Sequence, residues 1–177
     1  MPWTPDSPSA RAALADFLPR AGADYTRTRN HDHGPEDRRN VSGLSPWLRH
    51  RLLLEEEVLA AVLEAHDLSS AQSFVHEVFW RTYFKGWLEH RPEVWHRYCD
   101  DLEDLAEGLA GDRALRERVV QAVAGRTGIA CFDAWVDELR ETGYLHNHAR
   151  MWFASIWIFT LGLPWQLGAA HFHHHLL

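Results

Sequence analysis

Apolar residues recur along the chain at intervals of three and four, and no stretch alternates apolar and polar positions over the length of a strand. The pattern predicts helices nearly throughout. Residues 9–18 carry small and apolar side chains on one face and read as a short first helix. Residues 20–43, RAGADYTRTRNHDHGPEDRRNVSG, are polar, contain Gly and Pro, and read as a loop rich in arginine. The segment LSPWLRHR then signals a helix start, with Ser45 as N-cap and Pro46 at the first helical position. In EEEVLAAVLEAH the acidic residues of the first turn suit the helix dipole. Ser69 and Gln72 form a capping-box signature for the next helix. There Phe74, Val75, Val78, Phe79, Tyr83, Trp87 and Leu88 leave an apolar face broad enough to be buried. Beyond Pro92, the run DDLEDLAE marks a more exposed helix. ALRERVVQAV, FDAWVDELRE, LHNHARMWFASIWIFTL and PWQLGAAHFHHHLL bring the total to about eight helices of uneven length. The expected fold class is all-α, an irregular multi-helix domain rather than an up-down bundle.

Composition narrows this further. A chain of 177 residues with 46% hydrophobic positions fits one domain with a sizeable core. Nine tryptophans are many for this size; each needs a partner for its N–H, so most belong to the core and a few line a site. The net charge of −7 argues against a general polyanion binder, although one face can differ from the total. Cys99 and Cys131 fit no metal-ligand spacing and read as reduced, buried thiols. With no apolar signal core at the N-terminus and no run long enough to span a bilayer, the expectation is a cytoplasmic, soluble chain with no membrane partner.

One stretch is chemically unusual. In TGYLHNHARMWFASIW, residues 142–157, four polar side chains (His146, Asn147, His148, Arg150) open a helix that then becomes apolar. Read from these residues alone, a helix start capped by His and Asn explains this better than a site wall does. Ser42, Gly43, Leu44 and Ser45 likewise stand at a turn opening a helix, where hydroxyls and unpaired N–H groups can cradle a phosphate or simply cap. Glu77 and Arg81, four apart, share one face of their helix.

Four segments, in order, resemble the helical flavin-binding domain of the DNA photolyase/cryptochrome family. VSGLSPWLRHR resembles its Thr-Ser-x-Leu-Ser-Pro-Tyr-Leu segment, and HEVFWRTYF its Glu-Leu-x-Trp-Arg-Glu-Phe-Tyr segment. RTGIACFDAWVDELRETGYLHNHARM resembles the long segment ending Thr-Gly-Trp-Met-His-Asn-Arg-x-Arg-Met, and LPWQLGAAHFHHHLL the helix after it. The resemblance runs from about Tyr25 to the last residue and implies FAD as cofactor.

By the same resemblance, Tyr25, Ser42, Leu44 and Ser45 hold the phosphate side of the flavin, and Arg81 lies near it. Val41 replaces the usual Thr and loses a hydroxyl. Glu77 would hydrogen-bond a damaged base and Trp80 would stack on a nucleotide flipped out of UV-damaged DNA. Asn147 and Arg150 would frame the isoalloxazine ring, with Met151 toward the lesion. Trp165 matches a member of the electron-transfer chain that photoreduces the flavin, while Trp152 and Trp157 read as helical core. Asn147 and Met151 follow the cyclobutane-dimer pattern rather than the (6-4) pattern. Tyr144 stands where the family has Trp, and His148 where it has Arg.

The resemblance also implies pieces that these 177 residues do not contain: an α/β antenna domain ahead, and an Asp-Gly-Asp stretch and a facing Asn after His-Leu-Leu. A single helical domain over residues 1–177, either cut short at its C-terminus or a degenerate relative, with weak or absent flavin binding, is therefore expected. The histidines of HDH, HNH and HFHHH invite a metal, and His171 and His175 have workable i, i+4 spacing. No cysteine or carboxylate lies close in sequence, and no metal is expected. Three functional readings remain: light-driven cyclobutane-dimer repair, a cryptochrome-like flavoprotein without repair, and a helical scaffold without cofactor. Nothing in the sequence sets the oligomeric state.

Overall fold

In the computed structural model, which describes residues 3–177, every regular element is a helix and no strand occurs among the described residues. The all-α expectation holds. The chain divides into two compact units, one ending at Glu89 and one spanning His90–Leu176.

The first unit contains α1 (Ser7–Phe17), α2 (Ala23–Thr28), α3 (Ser45–Arg49), α4 (Glu55–Ala65) and α5 (Leu68–Glu89). α1 is capped by the Asp6 carboxylate, which accepts from the Ser9 N–H at 2.7 Å. The basic loop expected over residues 20–43 is interrupted by a 3-10 turn at Leu18–Arg20 and by α2. Its apolar members explain this: Ala21 and Tyr25 are buried, and Tyr25 sits edge-on between Phe17 and Phe74 at 5.9 and 5.2 Å. Three sequence expectations shift here. Ser45 is the first helical residue of α3 and Leu44 its cap, so Pro46 stands second. α5 begins at Leu68, which places Ser69 inside the helix instead of at its cap. Finally, only Phe74, Val75 and Val78 of the apolar face of α5 are buried, whereas Phe79, Tyr83 and Leu88 are exposed.

The second unit contains α6 (Pro92–Gly111), α7 (Arg113–Val123), α8 (Ala130–Thr142), α9 (Asn147–Ser155) and α10 (Trp165–His175). α6 buries none of its residues, as the acidic run suggests. The Arg-Thr-Gly turn before α8 is held by Asp133: its carboxylate accepts from the Thr127 N–H, the Thr127 hydroxyl and the Gly128 N–H at 2.7–3.0 Å. That part of the motif is structural. The core stacks Phe132 on Phe153 at 4.3 Å and adds Val136, Leu139, Leu145 and Trp157. Trp157 lies in a π-helical segment, Ile156–Thr160, and donates its indole N–H to the Pro164 carbonyl at 2.8 Å. It is core as expected. Trp152 is not: it is exposed and stacks on Trp135 at 5.9 Å. The cysteines are free, but Cys131 is exposed and Cys99 half-buried, contrary to the buried pair expected. Both lie on helices with largely solvated faces, where a small side chain is not drawn inward.

Candidate functional site

In the first unit, Ser42, Leu44 and Ser45 occupy one turn. Gly43 adopts φ +62°, which favours glycine, and a Cβ there would meet nothing within 4 Å, so space beside the turn is open. The Ser42 hydroxyl accepts from the Leu44 N–H at 3.4 Å, a long bond that leaves its remaining capacity for a ligand. α3 is a single turn, so its dipole adds little. Pro46, at its second position, contributes no N–H. The turn therefore offers two hydroxyls and the Ser45 and Trp47 N–H groups, with nothing from Val41. These groups fit one phosphate of a dinucleotide.

Tyr25 and Glu77 are brought together by a residue the sequence reading passed over. Arg29 donates through Nη1 to the Glu77 carboxylate. It also hydrogen-bonds Tyr25, with its guanidinium carbon 5.8 Å from that ring's centroid. Burial lowers the Arg29 pKa, but its bonds to Glu77 and Tyr25 outweigh this and hold it above the ordinary arginine value. The signal was present in the sequence: Arg29 follows Tyr25 by four residues, one helical turn. Reading the segment as a loop concealed it.

Glu77 and Arg81 share a helix face but are not partners. The Arg81 Nε donates to Glu55 at 3.1 Å, and Glu55 also faces Arg51 at 3.7 Å. Burial raises the Glu55 pKa, but its own backbone N–H and the Arg81 charge outweigh this and hold it below the ordinary carboxylate value. Trp80 is 53% exposed, stacked with Phe84 at 5.8 Å and edge-on to Tyr83 at 5.7 Å. The three rings form an open aromatic platform one residue pair beyond Glu77.

In the second unit, Asn147, Arg150 and Met151 lie in the first two turns of α9. Gly143, at φ +64°, ends α8 in the left-handed conformation, and His146 caps α9 by accepting the His148 N–H at Nδ1, 3.2 Å away. So the polar start of this helix is partly a cap. His146 is buried, whereas Asn147 is exposed. The Arg150 Nε donates to the Leu145 carbonyl at 2.7 Å, and the guanidinium lies 5.4 Å from the Tyr144 ring centroid. Met151 is 60% exposed. The exposed amide of Asn147 and the anchored guanidinium of Arg150 suit a polar heteroaromatic ring such as a flavin. Trp165, at the start of α10, is 49% exposed and lies 5.8 Å from Tyr98, which in turn lies 5.4 Å from Trp95. Burial, with the neighbouring Cys99, pushes the Tyr98 phenol above its ordinary pKa. Sequence spacing gave no sign of this ring series, because α6 and α10 are distant in the chain.

Among the described residues no group of three or more His, Cys, Asp or Glu side chains could hold a metal ion, and no helix is long and apolar enough to cross a membrane.

Residues 74–177 match a protein family described as the FAD binding domain of DNA photolyase. The chain is 27% identical to a deoxyribodipyrimidine photo-lyase of Vibrio cholerae over 99% of its own length and 37% of that protein. It is 30% identical to the corresponding enzyme of a Synechococcus strain, over 99% of this chain and 36% of the other. A chloroplastic/mitochondrial cryptochrome DASH of Ostreococcus tauri is 30% identical over 88% of this chain and 28% of its own. The crystal structure of a class III photolyase from Agrobacterium tumefaciens superposes with a TM-score of 0.78 at 28% identity, covering 98% of this chain and 35% of that one. The chain thus spans about a third of the length of the curated relatives it matches.

Proposed function

Since the chain belongs to the family of FAD-binding domains of DNA photolyases, whose cofactor is FAD, we propose that it serves light-driven repair of cyclobutane pyrimidine dimers in UV-damaged DNA. The observation that carries this reading is the pairing of Glu77, held by Arg29, with the open aromatic platform of Trp80, Tyr83 and Phe84. A carboxylate beside stacking rings is what a base flipped from a duplex requires.

In this reading two groups of residues are assigned to the cofactor. Tyr25, Ser42, Leu44, Ser45 and Arg81 form the first, with the turn hydroxyls and N–H groups as donors to phosphate oxygens. Asn147 and Arg150 form the second, toward the ring. When bound, the flavin supplies the photoexcited electron that splits the dimer. Glu77 accepts a hydrogen bond from the lesion's N–H, and Arg29 fixes the direction in which that carboxylate points. Trp80 provides the stacking face, and the Met151 side chain offers an apolar contact to the thymine methyl edge. Trp165, with Tyr98 5.8 Å away, would serve as the protein's electron donor during photoreduction. Damaged DNA is the partner this reading names.

A cryptochrome-like flavoprotein without repair is the second reading. Tyr144 and His148, which replace a Trp and an Arg of the family pattern beside Asn147, favour it. The test is repair of a dimer-bearing oligonucleotide under blue light by FAD-loaded protein, with Glu77→Gln and Trp80→Ala alongside. Repair that drops in both variants supports the first reading. Photoreduction of the flavin with no dimer split supports the second.

A further inference from the structure

The second unit holds an open cavity of about 560 Å3, lined by none of the residues assigned above to flavin or lesion. Its apolar side comes from α7 and α10, with Val119, Val120, Val123 and Leu167. Its polar side is made of Arg126 in the turn before α8, Arg140 in the last turn of α8, and His171, His174 and His175 on α10. No Asp or Glu is among the lining residues. The ion pair of Arg140 with Asp137 is long, at 3.7 Å, and both side chains are about half exposed, so Arg140 remains available to another anion.

His171 adds a second, independent observation. It is only 8% exposed, and its buried Nε2 has no hydrogen-bond partner. Its ring lies parallel to Phe153, at 6°, and to Trp157, at 16°, so turning it to find a partner would cost both stacks. Burial, then the charges of His175, Arg140 and His174, push its pKa from 6.5 down to about 4. The ring is neutral at physiological pH and sits in a positive field. An unsatisfied buried polar atom is costly, and in a native fold it calls for a partner.

We propose that this cavity is a binding site for a small organic phosphate monoester, with the phosphate held by Arg126, Arg140 and the α10 histidines and the organic body on the Val120, Val123 and Leu167 side. Five donor-bearing side chains exceed what the two oxygens of a carboxylate can use. A phosphate monoester offers three terminal oxygens and close to two charges at neutral pH, and arginine forks match it. The cavity falls in the size range of small-molecule sites and exceeds what inorganic phosphate would fill, which is why the ligand carries an apolar body. The proposal does not depend on the flavin reading.

Phenyl phosphate, inorganic phosphate and phenol are the probes, titrated separately into the 177-residue chain by calorimetry and by NMR of the histidine ring C–H signals. The expected result is saturable binding of phenyl phosphate, about tenfold tighter than inorganic phosphate, and no saturation with phenol. The His171 signals should shift and titrate at higher pH, because a bound anion favours the protonated ring. Arg126→Gln and Arg140→Gln, both at exposed positions that leave the core intact, should each weaken binding about fivefold or more. His171→Phe, which keeps the stacks and removes the ring nitrogens, should weaken it as well; if that variant fails to fold, the two arginine variants still decide. Equal affinity for phenyl and inorganic phosphate, or arginine variants that bind as well as the parent, would overturn the proposal. So would displacement of phenyl phosphate by FAD, which would assign the cavity to the flavin instead.

Discussion

Cutting the link between Arg29 and Glu77 tests whether the carboxylate proposed to meet the lesion is held in place or merely adjacent. The two side chains are 30% and 40% exposed, so the pair is neither a surface bridge nor a buried one. Exposed pairs couple by about 0.2–1 kcal/mol, whereas hydrogen bonds to charged groups in less solvated settings reach about 1.5–3 kcal/mol. Discounted for solvent screening at that exposure, the coupling here comes to about 1 kcal/mol. The assay is a double-mutant cycle of Arg29→Gln and Glu77→Gln, read by urea denaturation in about 0.1 M and about 1 M salt. Raising the salt shortens the screening length from about 10 Å to about 3 Å, and the coupling should fall by roughly half, because part of the pair is shielded from ions. Both single variants should also lose affinity for dimer-bearing DNA, since each frees or removes the same carboxylate. Single-variant losses that add to the double within about 0.3 kcal/mol would refute the reasoning: Arg29 would then not be positioning Glu77.

Three further outcomes follow from other parts of the molecule. Ser42→Ala with Ser45→Ala should weaken FAD binding about tenfold or more, at about 1 kcal/mol for each lost hydroxyl, measured by equilibrium fluorescence titration. Gly168→Ala gains about 1 kcal/mol in helix propensity, but its Cβ would lie 3.1 Å from an indole ring fixed by its bond to Pro164; overpacking of about 1–3 kcal/mol should win, and thermal unfolding should show a lower Tm. His171 has a folded pKa of about 4 against 6.5 unfolded, so the unfolded chain binds more protons between those values and stability falls as pH drops through that window. The full effect is up to about 3 kcal/mol, with His175, also lowered, acting in the same direction; His171→Phe should flatten the slope of denaturation free energy against pH between 6.5 and 4.

Helical periodicity made the all-α class legible, because burial follows the same spacing in Phe132, Val136 and Leu139 as in Val58 and Val62. It failed where tertiary contact overrode local polarity. The segment around Tyr25 reads as loop by composition, yet Tyr25 packs between Phe17 and Phe74 and lies within α2. Conversely, the apolar run on α5 suggests burial to its end, but the side chains beyond Val78 find no core and form the exposed platform instead. Sites spread over distant segments were least readable. Motif matching proposed Glu77 and Tyr25 separately, and only the fold places Arg29 between them. The pocket proposed to bind an anion gathers α7, α8 and α10, and its histidines alone suggested a metal; the neighbouring arginines turn that chemistry from cation toward anion binding.

The most direct test of the central claim is an equilibrium titration of FAD into the purified chain, followed by absorption spectra before and after blue light with a reductant. Bound FAD, a shifted oxidised-flavin band that bleaches on illumination, and weaker binding in the Ser42→Ala/Ser45→Ala variant are the expected results. A flavin that stays free at the highest protein concentration, with the protein folded, would contradict the assignment of these residues to a cofactor site.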